Sequence, residues 1–385
     1  MPPKPHSNDI KPIETSFPIR QYVKALGELR RYISDGSGLD INLVLLCALI
    51  HISIEVIQNN YLNALVHLEN SLHLLQTATT KGSVPAQSDT ATIFNNGSVD
   101  TDIEQEFLRL DLHASTFQGM RPPAMAHNQA HATIPGRFSS LREAKYVLDQ
   151  LIGQLYFFSK TTVEEYKFRK QQDMPLDAVA EAERLKNEFL VWNDRFSKYL
   201  QRSTSKFSRQ EQVIIDILLI SHMINFIEAS TCIQPEAIIF DQFDTEFDEV
   251  VTLAANVLRS RKEHQPNVFE FSLDIGIIHP LYCTAIRCRE PWIRRRAMTL
   301  LRSITFQEGV WNASAQASRA QVAINREMVF DEPGASNERP KEFVRVHSVG
   351  SEAFDPVKRV AEVTLSQKLN GLDGPWHGHV EWCSW

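Results

Sequence analysis

A long, mostly apolar stretch constrains the fold of this 385-residue sequence more than any other feature. From Ile41 to Gln58 nearly every position is apolar, and Asp40, directly before it, is a typical helix N-cap. A helix that is apolar almost all round is expected to lie at the centre of a protein core. After Asn59-Asn60, a second stretch has leucines at helical spacing: Leu62, Leu65, Leu68, Leu72 and Leu75. The two stretches predict a short antiparallel helix pair.

Helical periodicity recurs through most of the remaining chain, with proline and glycine at the breaks. The last segment instead alternates apolar and polar residues, which is typical of strands. We therefore predict an all-α protein of packed α-hairpins with a small C-terminal β-hairpin or meander. Its expected parts are a disordered tail over 1–17, a helical domain over 18–333 that contains a mobile connection over 79–136, and a β extension over 334–385 packed on the same domain.

Composition favours a soluble intracellular protein. The 40 Lys and Arg residues against 47 Asp and Glu residues give a net charge of −7, which provides no overall attraction for nucleic acid. We therefore expect contact with DNA only indirectly. The 5 cysteines are odd in number and scattered, which argues against a disulfide scaffold and a zinc module. Met1-Pro-Pro-Lys-Pro has no apolar signal region, and we expect no membrane contact.

The sequence has no phosphate-binding loop, dinucleotide-binding glycine pattern, nucleophile elbow or metalloprotease motif. An acidic group is the best enzyme candidate: Asp241, Asp244, Glu246, Asp248 and Glu249. Together with Asn193, Asp194 and Ser197, it is similar to the Mg²⁺-binding carboxylates of helical terpene cyclases, but the two motifs stand in the reverse order. The alternative is that Asp241 and Asp244 stabilise the first turn of a helix beginning near Phe247. We favour that alternative and predict that the chain is not an enzyme.

Histidine pairs and an arginine run offer two further candidate sites. The pairs His127/His131 and His377/His379, the latter near Cys383, have spacings that could hold a metal ion, but both are more typical of surface histidines. We predict no metal and no cofactor. The basic residues are Arg287, Arg289, Arg294, Arg295, Arg296 and Arg302. They could form a nuclear-import signal or a phosphate patch, although a solvated or salt-bridged helix face is the favoured interpretation.

Four ordered segments place polar residues within apolar runs. The first carries Glu55, Asn60, Ala64 and His67; the second carries Arg109 and Asp111; the third carries Phe138, Leu141, Glu143 and Ala144; the fourth carries Cys288, Arg294, Arg295, Glu308, Gly309 and Trp311. Together they resemble the regulatory region of fungal-specific Zn₂Cys₆ transcription factors. The fourth segment is the most specific match. In the first segment, Asn59 stands where the family usually has glycine.

The resemblance implies a nuclear transcription regulator, controlling a metabolic pathway or a secondary-metabolite gene cluster. Family members normally begin with six cysteines that bind two zinc ions, whereas Cys47 is the first cysteine here. Either a zinc-cluster exon precedes Met1, or the chain acts without a DNA-binding module of its own. The implied partners are other transcription regulators or a DNA-binding protein, with homo-oligomerisation left open. The resemblance supplies no catalytic residues.

Two further interpretations concern the polar motif residues and the helix pair. Glu55, His67, Arg109 and Asp111 lie in apolar surroundings, so we expect an internal hydrogen-bond and ion-pair network rather than a ligand site. The centre of the helix pair, Asn-Tyr-x-x-Ala-x-x-His-Leu, resembles a tetratricopeptide hairpin. The alternative function is therefore a helical scaffold for protein interactions outside the nucleus.

Overall fold

The computed structural model describes residues 12–35, 39–80, 99–117, 119, 121–126, 133–166, 173–203, 207–264, 271–328, 338–351 and 353–385. The chain divides into two compact units, Met1–Glu104 and Gln105–Trp385. Helices dominate both units, and a small sheet lies at the C-terminal end of the sequence. The predicted fold class, all-α with a small C-terminal β part, is therefore confirmed.

The first unit contains helices α1 (Pro12–Ser34), α2 (Ile41–Ile57) and α3 (Tyr61–Thr80). Asp40 is the N-cap of α2, since its side chain accepts a 2.9 Å hydrogen bond from the backbone N–H of Asn42. Asn59 separates α2 from α3 with a φ of +59°, a left-handed conformation that asparagine tolerates better than most residues. Helix α1 begins at Pro12, within the segment over 1–17 that the sequence predicts to be a disordered tail.

Helix α2 is not buried all round, contrary to the expectation from its composition. One face is buried, through Val44, Leu45, Ile52 and Val56. The other face leaves Leu43, Leu46, Ile50 and Ile57 exposed, with Ile50 at 60%. Among the described residues of its unit, α2 packs chiefly against α1 and α3, and two neighbouring helices cannot cover the full circumference of a third.

Nine further α-helices lie within the described ranges, and all belong to the second unit except for the first four residues of α4, which fall in the first unit. They are α4 (Thr101–Phe117), α5 (Leu141–Phe158), α6 (Glu164–Tyr166), α7 (Leu176–Arg202), α8 (Arg209–Thr231), α9 (Asp244–His264), α10 (Ile278–Arg287), α11 (Pro291–Ser303) and α12 (Ala313–Met328). A π-helical turn, Ser159–Val163, joins α5 to α6, and 3₁₀ turns cover Ala237–Phe243 and Glu342–Val344. Helix α8 starts with a capping box, in which Ser208 and Glu211 bond each other's backbone N–H groups.

Two apolar clusters form the core of the second unit. The first joins α5, α7 and α8 around Leu148, Phe189 and Trp192. The second contains residues of the five helices from α8 through α12 and of the C-terminal sheet, around Phe247, Leu281 and Leu301. Helix α8 contributes to both, which explains its composition. It is long and apolar enough to cross a membrane, but 56% of its most apolar window is buried inside the protein, as in the core helix of a globular domain.

Two small sheets complete the second unit. The first has three two-residue strands, β1 (Phe271–Ser272), β2 (Gln307–Glu308) and β3 (Trp311–Asn312). The second contains β4 (Val346–Gly350), β5 (Phe354–Asp355), β6 (Val360–Gln367) and β7 (His377–Ser384). Strand β6 is central, pairing with β4 and β5 along one edge and with all eight residues of β7 along the other. Its Ala361, Val363 and Leu365 are buried on the face that packs on α12.

Candidate functional site

A groove of about 690 Å³ lies between the helices of the second unit and the outer face of its C-terminal sheet. Its walls come from the π-helical turn, the end of α8, the Ala237–Phe243 turn, the end of α10, strands β4 and β6, and Trp376. This volume falls within the range that accommodates an organic ligand. The groove is therefore the candidate functional site.

The sheet supplies a hydroxyl-rich wall. Ser348 of β4 stands opposite Ser366 of β6, and Gly350 stands opposite Thr364. All four residues line the groove. A Cβ atom on Gly350 would lie 2.5 Å from Thr364 Oγ1, so glycine allows the two strands to place that hydroxyl at the groove wall. This wall offers donors and acceptors at a fixed spacing.

Arg287 is the cation at the junction of helix and sheet. Its Nη1 donates a 3.0 Å hydrogen bond to the backbone oxygen of His347, and its guanidinium carbon lies 4.8 Å from the ring centroid of Phe240. Burial, with the nearby charges of Arg289 and Arg287, lowers the pKa of His347 to about 4. His347 is therefore a neutral ring near pH 7, and it contacts Trp376 edge to face at 5.4 Å.

The π-helical turn forms the opposite lip of the groove. It contributes Ser159, Lys160 and Val163, and single π turns within α-helices are frequent at functional sites. The Ser159 hydroxyl hydrogen-bonds to no atom in the described part of the chain. Since a buried hydroxyl needs a partner, this group is suited to contact water or a ligand.

The groove combines several kinds of recognition group. Cations (Lys160, Arg287), carboxylates (Glu164, Glu228, Glu236) and apolar side chains (Met174, Phe240, Ile286) line it together. This mixture suits an organic molecule or a peptide with both polar and apolar parts, rather than a bare ion. Among the described residues, no group of three or more His, Cys, Asp or Glu side chains is placed to hold a metal ion.

The motif residues of the first unit form a buried polar cluster. Tyr22 Oη donates a hydrogen bond to Glu55 Oε1 and lies 3.4 Å from His67 Nε2. His67 stacks on His51 at 5.7 Å between centroids, and burial with the neighbouring His67 lowers the pKa of His51. Asn60 connects the two helices, since its N–H donates to Glu55 O at 2.8 Å and its carbonyl accepts from Ala64 N–H at 3.1 Å.

Asp111 holds a loop against α4. Its carboxylate forms a 2.7 Å ion pair with Arg121 and accepts a 2.8 Å hydrogen bond from the backbone N–H of Met125. Burial raises the pKa of Asp111, although Arg121 opposes this shift. Arg109, two residues earlier, pairs with Glu106 and lies 3.6 Å from Asp274. These two motif residues make separate contacts, each internal to the second unit.

The fourth segment contains a buried ion-pair network. Glu327 of α12 accepts hydrogen bonds from Arg289 at 2.8 and 3.1 Å, and its second oxygen pairs with Arg294 at 2.8 Å. Arg294 also donates to the backbone oxygen of Cys288 at 2.8 Å, at the end of α10. Burial raises the pKa of Glu327, but Arg289 and Arg294 outweigh this effect, and the net shift is downward. Arg295 lies on α11 outside this triad.

Glu308 caps the N-terminal end of α10. Its carboxylate accepts hydrogen bonds from the backbone N–H groups of Gly276, Ile277 and Ile278, at 3.1, 3.1 and 2.9 Å. Burial raises the pKa of Glu308, while these three bonds and Arg261 oppose the shift. Trp311, across the β2–β3 turn, packs on His279 at 4.7 Å between centroids. These contacts hold the start of α10 in place, and the other end of this helix lines the groove.

Arginines pair with two carboxylates of the acidic group, Asp241 and Asp244. Arg345 forms two 2.7 Å hydrogen bonds with the carboxylate of Asp241, and Arg339 pairs with Asp244 and Glu290. Asp244 is also the first residue of α9, where the helix dipole favours a carboxylate. Helix α9 thus begins before Phe247. Arg345 thus contacts both oxygens of Asp241, and Arg339 contacts Oδ2 of Asp244.

The arginine run and the histidine pairs can also be compared with the structure. The arginine run is not a uniformly solvated face, because Arg289 and Arg294 are buried by their pairing with Glu327. Arg296 pairs with Asp248 at the surface, as a salt-bridged face requires. His127 and His131 lie outside the described residues, and His379 bonds Glu381 at 2.6 Å.

The sequence analysis missed the groove. Its residues come from positions between 119 and 376, and only tertiary packing brings them together. The π-helical turn has no local sequence signature, and hydroxyls on a strand are common on any exposed face. Comparison with known proteins finds no matching family model, no curated protein and no solved structure.

Proposed function

We propose that this chain is the helical regulatory module of a fungal-type transcription regulator. In this proposal it acts in the nucleus and controls a metabolic pathway or a secondary-metabolite gene cluster. One observation carries the link between sequence and site. Ile286 and Arg287, at the end of α10, line the groove and immediately precede Cys288, where the most specific family-like segment continues.

The groove is the proposed point of control. Its hydroxyl wall, its charges of both signs and its apolar floor suit an organic effector or a peptide of a partner regulator. A ligand there would contact both α10 and the sheet, because Arg287 joins the two through the backbone of His347. Binding would thus bias how the sheet packs on the helices, and partner proteins would sense that change.

DNA contact in this proposal comes from a partner protein. The chain carries a net charge of −7, and several of its arginines are already paired with carboxylates, including Arg294, Arg339 and Arg345. Phosphate binding requires clustered cations that are free to displace counterions. The expected partners are therefore a DNA-binding protein and other transcription regulators.

A tethering experiment tests the proposal. The full chain is fused to an unrelated DNA-binding domain in a fungal host, and expression of a reporter downstream of the matching site is measured. We expect expression to change severalfold relative to the DNA-binding domain alone. An unchanged reporter, with the fusion present in the nucleus, would contradict a regulatory role.

Two variants connect the reporter effect to the groove. Ser366→Phe fills the groove from the outer face of β6, so we expect it to abolish the effect or make it constitutive. Glu362→Phe is the matched control, because Glu362 lies on the same face of the same strand but outside the groove lining. Equal reporter expression with the two variants would show that the groove does not control regulation.

A scaffold outside the nucleus is the second candidate. The exposed apolar side chains of α2 and α3, among them Ile50, Leu62 and Val66, favour it, because helical hairpins use such faces to bind partner helices. Localisation discriminates the two candidates. A cytosolic protein with stable partners unrelated to chromatin would favour the scaffold.

A further inference from the structure

We propose that the outer edge of β7 pairs with the same edge of a second copy of this chain, forming a two-fold symmetric dimer with a continuous sheet. Strand β7 pairs with β6 on one side, and in the described part of the chain no strand pairs with its other side. This inference goes beyond the proposed function and does not depend on it.

Strand β7 has few of the features that normally protect a sheet edge, since Glu381 is its one acidic or basic residue apart from two histidines. Its sequence, His377-Gly-His-Val-Glu-Trp-Cys-Ser384, contains no lysine, arginine or proline, and its pairing with β6 runs through all eight residues without a bulge. Long, regular edges of this kind pair readily with another strand. Val380 and Trp382 are also 57% and 62% exposed on the outer face.

Hydrogen-bond parity shows which residues of β7 can bond outward. Trp385 N–H donates to Arg359 O, so the odd-numbered residues of this strand direct their backbone groups toward β6. The even-numbered residues direct theirs to the open edge. Ser384 O already accepts a 3.0 Å hydrogen bond from Ser318 Oγ of α12. Gly378, Val380 and Trp382 thus form the open part of the edge.

One register of antiparallel self-pairing satisfies every side chain at this edge. With the two-fold axis at Val380, that residue faces its own counterpart, and Trp382 faces Gly378 of the other copy. The glycine leaves space for the indole ring, a pairing that stabilises sheets at glycine positions. On the opposite face, His379 and Glu381, which bond each other at 2.6 Å within one chain, stand across from Glu381 and His379 of the other copy, so charges of opposite sign face each other across the axis. Shifting the register by one residue would break these matches.

Backbone geometry is consistent with that register. Val380 faces Val380, and Gly378 faces Trp382, at hydrogen-bonded positions, since these residues direct their N–H and C=O groups outward. His379 and Glu381 then fall at non-hydrogen-bonded positions, where side chains are closest. The interface is narrow, and we expect a dissociation constant in the micromolar range, typical of interfaces at the small end of the size distribution.

Disulfide trapping tests both the dimer and its register. In the purified full chain, Val380→Cys would place two sulfur atoms across the two-fold axis, at the Cα separation of about 5.5 Å that a disulfide spans. Under mild oxidation we expect a species of twice 44.0 kDa on a non-reducing gel. Gly378→Cys is the matched control. Its two cysteines would lie on opposite sides of the two-fold axis, each two residues from it, and would therefore be too far apart to form a disulfide. Equal cross-linking of both variants, or of the unmodified chain, would overturn the register.

Light scattering without cross-linking tests the interaction itself. We expect the unmodified chain to dimerise at tens of micromolar, and Val380→Lys to raise the dissociation constant at least tenfold by placing two cations on the axis. Val357→Lys, at an 84% exposed turn position outside β7, should leave it unchanged. His379→Glu should weaken the dimer, and adding Glu381→Lys should restore it. A monomer at all these concentrations would overturn the proposal.

Discussion

The carboxylate of Glu327 and the guanidinium of Arg289 are hydrogen-bonded at 2.8 and 3.1 Å, and both side chains are almost fully buried. They join α12 to the end of α10. The same Glu327 oxygen accepts a 2.9 Å bond from Val346 N–H, which attaches the first residue of β4 to this pair. One carboxylate therefore connects two helices and the sheet that forms the groove wall.

Replacing Glu327 should destabilise the protein strongly. Glu327→Ala leaves Arg289 and Arg294 buried without their counterion, and removing one partner of a buried pair costs about 3–5 kcal/mol. Chemical denaturation with urea measures this loss. Asp194→Ala is the control, because the Asp194–Lys198 pair lies at the surface, where solvent screens it, and its loss should cost far less. Similar losses for both variants would contradict the network's role.

Glu308 should stabilise α10 through its backbone contacts. Glu308→Ala leaves the three N–H groups of residues 276–278 without their acceptor, at about 1–3 kcal/mol for each buried group that stays unsatisfied. Hydrogen exchange at these amides should accelerate more than exchange in α7, which belongs to the other apolar cluster. Uniform acceleration across both clusters would show a global effect instead of a local cap.

Gly309 should resist substitution for two separate reasons. Its φ is +52°, and an added Cβ would lie 2.7 Å from His113 Nδ1. Gly371 tests the effect of the positive φ alone, since its φ is +85° and no neighbouring atom lies within 4 Å of an added Cβ. We expect Gly371→Ala to cost about 1 kcal/mol and Gly309→Ala clearly more, as measured by urea denaturation. Equal costs would mean that His113 moves away freely.

Acid should weaken the fold through its buried histidines. Burial lowers the pKa of His222 to about 4, although its bond to Phe189 O opposes this shift. The unfolded chain binds a proton near pH 6.5 whereas the folded chain does so near pH 4, so stability falls as the pH drops between these values. The contribution of one such histidine is at most about 1.4 kcal/mol per pH unit.

The matched measurement compares His222→Gln with His73→Gln. Glutamine can donate to Phe189 O without taking a proton, so His222→Gln should flatten the dependence of unfolding free energy on pH between 6.5 and 4. His73 is exposed on α3, so His73→Gln is the control for the effect of the substitution itself. An unchanged slope for His222→Gln would show that this histidine does not titrate differently on unfolding.

Local signals explain which parts of the fold could be predicted. The N-cap at Asp40 and the alternation in β6 depend on neighbouring residues, and both are found as expected. Burial of α2 depends on how many elements surround it, and composition alone overestimated it. Glu327 illustrates the same limit for the site, because nothing in the sequence of α12 indicates that its one glutamate contacts Arg289, 38 residues earlier.

The pairing of Asp241 with Arg345 has a consequence for protein synthesis. These residues are separated by 104 positions, and their contact holds the start of α9 against the segment leading into β4. A ribosome adds about 5–20 residues each second, so several seconds pass between the synthesis of Asp241 and the synthesis of Arg345. During that interval the nascent chain exposes the apolar surface that the sheet later covers. Chaperone binding should therefore concentrate on translation intermediates that end between these two residues.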